Sequence, residues 1–173
     1  LFGLVGSEMC IRDRVLVAPQ TGDVAAMVGD RQPRRWGYNR ALDASRQVGS
    51  IMKPLVYLLA LELPDRFTLT TPVSDAPVSV PLQDGDVWRP RNYDGQDHGE
   101  IPLLTALVAS YNQAPVRIGL EVGVTRVLEL LERVGVKTST RPHPSALLGA
   151  VELTPFQVAQ AYQTLAADGY YTP

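Results

Sequence analysis

Cysteine, histidine and long apolar runs are all scarce in this chain of 173 residues. The single cysteine, Cys10, excludes both a disulfide framework and a cysteine zinc site within the chain. Two histidines, His98 and His143, leave too few imidazoles for a multi-histidine metal site. The longest apolar run, Leu55 to Leu61, is far shorter than the ~20 residues of a membrane-spanning helix. Charge of one sign is missing too. Lys plus Arg is 16 and Asp plus Glu is 18, a net charge of -2, which argues against a basic nucleic-acid groove. What remains is an ordinary globular mix, 45% hydrophobic and 20% charged, long enough to bury a real core.

Residues 1–14, LFGLVGSEMCIRDR, show no strand or helix period, and their arginines follow the apolar stretch instead of preceding it as in a signal peptide. They are read as extraneous sequence or a linker, and Cys10 within them is given no function. Regular patterning begins at Val15. Val15–Ala18 and Val24–Gly29 flank a Pro/Gly turn and predict a β-hairpin. A polar run from Asp30 to Gln47, with Arg31, Arg34, Arg35, Arg40 and Arg46, reads as a solvated loop. The segment from Ile51 to Glu62 is apolar nearly all round and predicts a buried helix. Pro54 limits its start, because proline is tolerated only among the first four helical positions; with Pro54 as the fourth, Ile51 is the first and Ser50 the N-cap. Leu63-Pro64 ends it. Phe67 to Asp97 reads as an irregular excursion with two short strands. Helices are expected over Pro102–Ser110, Ala114–Glu121 and Thr125–Arg133, the last stopped by Gly135. A capping box of Thr154, Pro155 and Gln157 opens a final helix running to Asp168, with Gly169 as its stop.

The chemistry concentrates at the buried helix. Ser50 and Lys53 are three apart and share one helix face. An apolar surround lowers a lysine pKa, and a neutral amine can take a hydroxyl proton, making the serine a nucleophile. Helix N–H groups beside Ser50 would stabilise an oxyanion. S-x-x-K alone is common, and its plain reading is a cap followed by a snorkelling lysine. Ser110-Tyr111-Asn112, about sixty positions on, changes that balance. S-x-x-K, then S-x-N, then K-T-G is the signature of penicillin-binding proteins and class A β-lactamases.

Longer strings carry the resemblance further. Gly37-Tyr38-Asn39-Arg40-Ala41 leads into Gly49-Ser50-Ile51-Met52-Lys53-Pro54. Trp88-Arg89-Pro90-Arg91-Asn92-Tyr93-Asp94 precedes Ala106–Val116, and Leu147–Pro155 precedes the final helix. From about Val15 to Pro173 the chain resembles the transpeptidase domain of bifunctional, class A penicillin-binding proteins, most nearly the 1B type. The resemblance implies an α+β fold, a central antiparallel sheet flanked by helices. It implies a D,D-transpeptidase of peptidoglycan synthesis, anchored at the outer face of a bacterial inner membrane, with no cofactor and no metal. Its partners would be stem peptides ending in D-Ala-D-Ala and β-lactam antibiotics, not nucleic acid; other cell-wall synthesis proteins are compatible with it. Residue by residue it makes Ser50 the acylated nucleophile and Lys53 the general base. Ser110 would relay a proton toward the leaving group, and Asn112 would hydrogen-bond the substrate amide. The K-T-G strand has no counterpart, since Lys137-Thr138 is followed by Ser139. Residues 15–173 are therefore expected to be the N-terminal part of the domain, and inactive alone.

Other readings are weaker. A serine β-lactamase would share the nucleophile but needs a deacylation base, and no E-x-x-L-N-type loop is present. A β-lactam-sensing or binding module of the same fold is separable only by its flanking sequence. His98, with Asp94, Asp97 and Glu100 nearby, matches no standard metal spacing and reads as solvated loop. His143, between two prolines, reads as a turn residue. Trp88 and Tyr93 suit either a cleft wall or packing under the loop.

Overall fold

The computed structural model describes residues 13–30 and 37–172. Cys10, and Arg31, Arg34 and Arg35 of the basic run, lie outside the described residues. In chain order the elements are β1 (Arg14–Val17), β2 (Val24–Val28), α1 (Arg40–Asp43), β3 (Arg46–Gln47), a 3-10 turn (Gly49–Met52) and α2 (Lys53–Leu61). Then come β4 (Pro72–Ser74), β5 (Val80–Pro81), β6 (Val87–Trp88), β7 (Glu100–Pro102), α3 (Leu103–Val108), α4 (Gln113–Val122) and α5 (Val124–Arg133). A second 3-10 turn (Pro144–Leu148), β8 (Glu152–Leu153) and α6 (Pro155–Ala166) complete the chain. They fall into two compact units, one of residues up to 46 with 134–136 and 153–173, the other of residues 47–133 and 137–152.

The first unit holds the expected hairpin. β1 and β2 pair antiparallel, Val15 opposite Met27 and Leu16 opposite Ala26, with an irregularity between Leu16 and Val17. The turn closes through Ala18 N–H to the Asp23 carbonyl at 2.9 Å. Helix α6 packs on β1 and α1, and Gln163 Nε2 donates to the Pro19 carbonyl at 2.7 Å. Its capping box forms as the sequence predicts: Gln157 N–H donates to Thr154 Oγ1 at 3.2 Å, and Thr154 N–H to Gln157 Oε1 at 2.9 Å. The helix ends two residues early, at Ala166, because Asp168 (φ 55) and Gly169 (φ 89) both take left-handed backbone.

The second unit is built round α2. Leu55, Val56, Tyr57, Leu59 and Ala60 are all buried, as an all-round apolar helix must be, and α3, α4 and α5 cover them. Leu55, Val56 and Leu59 each contribute about 1.5–3 kcal/mol by leaving water. The start of this helix corrects the expectation from Pro54. Ser50 is not an N-cap: the chain is already turning at Val48 (φ -78, ψ -19) and runs through a 3-10 turn. Lys53 N–H closes that turn on the Ser50 carbonyl, so Pro54 falls at the second α-helical residue, where its missing N–H costs nothing.

The excursion after Phe67 holds three strands instead of two before β7. β4 pairs antiparallel with β7, Val73 opposite Ile101, and β5 pairs with β6, Val80 opposite Trp88. Strands of two or three residues are too short to show a period of two. Helices α3, α4 and α5 lie where the pattern places them, α5 burying Val127, Leu128, Leu130 and Leu131 on one face. Gly135 (φ 90) follows two residues after its end.

Candidate active site

Two elements converge on the site: the start of α2, and the turn between α3 and α4. Ser50 is the second residue of the 3-10 turn and is exposed. Its backbone is fixed from the side. Gly49 N–H donates to the Gly149 carbonyl at 3.1 Å, and Val48 N–H to the Val151 carbonyl at 3.0 Å. The approach leaves no room for a side chain, since a Cβ on Gly149 (φ +84) would overlap the Gly49 amide and carbonyl. Being second in its turn, Ser50 has an amide N–H without an acceptor inside the helix.

Lys53 points inward and is only 2% exposed. Its Nζ donates to the Ser110 carbonyl at 2.5 Å and lies 3.1 Å from Ser110 Oγ. Burial pushes the amine down from 10.5 to about 8, against the opposing field of Asp75. Ser110 meets the lysine from left-handed backbone at φ 54, held by its N–H on the Leu107 carbonyl. The structure thus joins Lys53 with Ser110. Among the described residues no side-chain hydrogen bond links Ser50 to Lys53; their one bond is the backbone one, Lys53 N–H to the Ser50 carbonyl.

Asn112 is the residue before α4, but its side chain does not cap the helix. Its Nδ2 donates instead to the Arg91 carbonyl at 2.6 Å, and its own N–H donates to Asn92 Oδ1 at 2.7 Å. Asn92 in turn donates through Nδ2 to Asp75 Oδ2 at 2.6 Å. The other Asp75 oxygen, Oδ1, accepts Ala114 N–H at 3.3 Å in the first turn of α4. Sequence reasoning missed Asp75 altogether and quoted Asn92 only as part of a string. Nothing in Val73-Ser74-Asp75-Ala76-Pro77 sets this aspartate apart from the other loop carboxylates.

The remaining candidates take plainer places. His98 Nε2 lies 3.0 Å from Asp94 Oδ2, and its ring stacks on Tyr111 at 4.0 Å between centroids and 20° between planes. The Gln96 amide, and then His98, hold the Asp94 carboxyl below the usual carboxylate range. Among the described residues no group of His, Cys, Asp and Glu is arranged to hold a metal. His143 caps the second 3-10 turn, accepting from Ser145 N–H at 3.2 Å. Trp88 sits in the β5–β6 hairpin, while Tyr93 is 77% exposed.

A sequence profile described as the penicillin binding protein transpeptidase domain matches residues 14–173. Penicillin-binding protein 1B of Vibrio cholerae is 45% identical over 160 residues, covering 92% of this chain and 21% of that protein. The protein of the same name from Escherichia coli is 42% identical over 162 residues, covering 92% of this chain and 19% of that one. The chain thus spans about a fifth of the length of these curated relatives. Among solved structures, penicillin-binding protein 1A of Haemophilus influenzae superposes with a TM-score of 0.80 at 30% identity, over 87% of this chain and 22% of its own. PonA1 of Mycobacterium tuberculosis in complex with penicillin V gives a TM-score of 0.76 at 27% identity, over 92% of this chain and 44% of that one. The chain belongs to the penicillin-binding protein transpeptidase family, and its fold is the α+β fold of those domains.

Proposed function

We propose that this chain carries the acyl-serine part of a peptidoglycan D,D-transpeptidase, with Ser50 as nucleophile, Lys53 as base, Ser110 as proton relay and Asn112 as substrate anchor. The observation that carries the reading is the buried Lys53 amine held on Ser110. A neutral amine has two N–H bonds and one lone pair. Both N–H groups are engaged by Ser110, which leaves the lone pair to accept a proton from Ser50, three residues away on the same face. The Ser50 oxygen attacks the carbonyl carbon of the penultimate D-alanine as its proton passes to Lys53. The tetrahedral oxyanion is met by the Ser50 N–H. Collapse breaks the peptide bond; Ser110 passes the Lys53 proton to the departing amine, and terminal D-alanine leaves. An amine of a second stem peptide then attacks the ester, forming the cross-link and freeing Ser50. A β-lactam follows the first half alone, opening its ring C–N bond onto Ser50. The named relatives support the placement in a bifunctional cell-wall synthase with this domain on the outer side of the inner membrane. Among the described residues no helix is long and apolar enough to cross a membrane.

The test is covalent labelling of the intact protein with a fluorescent penicillin. Ser50 is expected to carry the adduct and Ser50→Ala to abolish it. An adduct mapped to another serine overturns the assignment.

A further inference from the structure

The polar core beside the site contains a carboxylate without an ion pair. Asp75 is 0% exposed, and no cation bridges it among the described residues. Burying such a group is costly unless its oxygens are hydrogen-bonded. Both are used, one on the first turn of α4 and the other on Asn92, which itself holds the S-x-N turn. Oδ1 takes Ala114 N–H at 3.3 Å, capping α4 from a distant segment where Asn112, the residue in the cap position, gives no side-chain bond. A negative charge there also meets the positive end of the helix. Oδ2 takes Asn92 Nδ2 at 2.6 Å, and Asn92 Oδ1 then takes Asn112 N–H at 2.7 Å. A second Asn92 bond, Nδ2 to the Gln96 carbonyl at 2.9 Å, sets which way the Asn92 amide faces. The Asp75 segment is itself strapped down: Asp75 N–H donates to the Gly99 carbonyl at 2.7 Å, and Val78 N–H to Gln113 Oε1 at 2.9 Å. Only a pure acceptor at 75 and a donor-and-acceptor at 92 satisfy all of these contacts at once.

We propose that Asp75, acting through Asn92 and the first turn of α4, is a positioning residue for the acyl-transfer site, locking the Ser110–Asn112 turn against Lys53. The role rests on the reading of Ser50, Lys53 and Ser110 given above. Asp75 touches no reacting atom; it fixes where Ser110 and Asn112 present theirs.

The test measures the second-order rate of fluorescent-penicillin acylation in the intact protein, with thermal melts alongside. In Asp75→Asn one face of the new amide sets N–H against Asn92 Nδ2 and the other sets it against Ala114 N–H. Acylation is expected to slow by about 10- to 100-fold, the effect of leaving one buried polar group unsatisfied. The exchanged pair, Asp75→Asn with Asn92→Asp, reverses donor and acceptor across the 2.6 Å contact while leaving acceptors for both Ala114 and Asn112. It sets a carboxylate oxygen against the Gln96 carbonyl where Asn92 donated at 2.9 Å, and is expected to recover part of the rate. Asp84→Asn, an exposed loop change, is expected to leave the rate unaltered. A rate in folded Asp75→Asn within about threefold of the unaltered protein overturns the proposal, and so does an exchanged pair no faster than the single variant. Should Asp75→Asn lose its cooperative melt, the exchanged pair decides: folded and reactive supports the role, anything else overturns it. Ser50→Ala in parallel keeps the two readings apart. Labelling that survives Ser50→Ala overturns the nucleophile. An acylation rate of Asp75→Asn within about threefold of the unaltered protein, with no labelling of Ser50→Ala, overturns the role of Asp75 alone.

Discussion

Lys53 grips Ser110 twice, its Nζ at 2.5 Å from the carbonyl oxygen and 3.1 Å from the hydroxyl. The lysine therefore couples the start of α2 to the turn before α4. A guanidinium keeps the charge but neither the compact reach nor the capacity to lose a proton. Lys53→Arg is expected to lower the acylation rate by about 10²–10⁴-fold, the range for a lost general base. A rate within a few-fold of the unaltered protein would reduce Lys53 to an electrostatic neighbour.

The pH dependence follows from the same amine. Burial brings Lys53 from 10.5 down to about 8. With Lys53 as the proposed base the reactive form is neutral, so acylation is expected to rise about tenfold per pH unit below that point and to level off above it. Stability moves the same way. Between about 8 and 10.5 the unfolded chain still holds the lysine proton while the folded one has released it. More protons on the unfolded side means that stability rises with pH across this window and is flat below it. Tyr57, whose phenol burial pushes up from 10.0, acts in reverse: above 10.0 the unfolded phenol loses its proton first and stability falls. Denaturation between about pH 7.5 and about pH 9.5 isolates the lysine, and Lys53→Met is expected to flatten the slope there. An equal slope in both proteins would count against a buried, depressed amine.

The sequence made α2 and α6 legible because each rests on a local cause: an unbroken apolar surface ended by Leu63-Pro64, and a capping box at Thr154 and Gln157. It made Ser50, Lys53, Ser110 and Asn112 legible as motifs. The geometry that links them was not legible. Proline restricts where a helix can begin but does not distinguish a 3-10 first turn from an α-helical one, so Ser50 was misplaced by its cap. Asp75 and Asn92 were hidden because the contacts that tie them to each other, to Asn112 and to Ala114 span 17 to 39 residues, and no local spacing encodes such contacts. Short strands such as Val80–Pro81 exist by pairing across a turn, not by their own pattern.

Thr154 offers a change that separates folding from chemistry. It accepts Gln157 N–H at the start of α6, in the other compact unit from Ser50 and Lys53. Thr154→Ala removes the acceptor and is expected to cost about 1 kcal/mol of stability. The penicillin acylation rate of the folded protein at room temperature should not change. A rate that fell along with the melting temperature would tie α6 to the site and contradict this separation.

The last prediction concerns Gly149, whose backbone lies against Gly49, the residue preceding Ser50. At φ +84 any other L-residue is strained, and here the added carbon would also overlap Gly49. The strain alone is on the order of 1–3 kcal/mol. Relief requires the Pro144–Leu148 turn to back away from Gly49, which breaks the 3.1 Å bond from Gly49 N–H to the Gly149 carbonyl. That bond holds the peptide leading into Ser50, so both the hydroxyl and the amide N–H of Ser50 shift relative to Lys53. A displacement near 1 Å at a reacting group costs on the order of 10²-fold in rate. Gly149→Ala is therefore expected to lower the melting temperature by several degrees and to slow acylation by about 10- to 100-fold even where the protein is fully folded. The two effects are separable by measuring acylation well below the melt. Full acylation speed in a folded Gly149→Ala protein would show that Ser50 is positioned from within its own turn, without the support of Gly149.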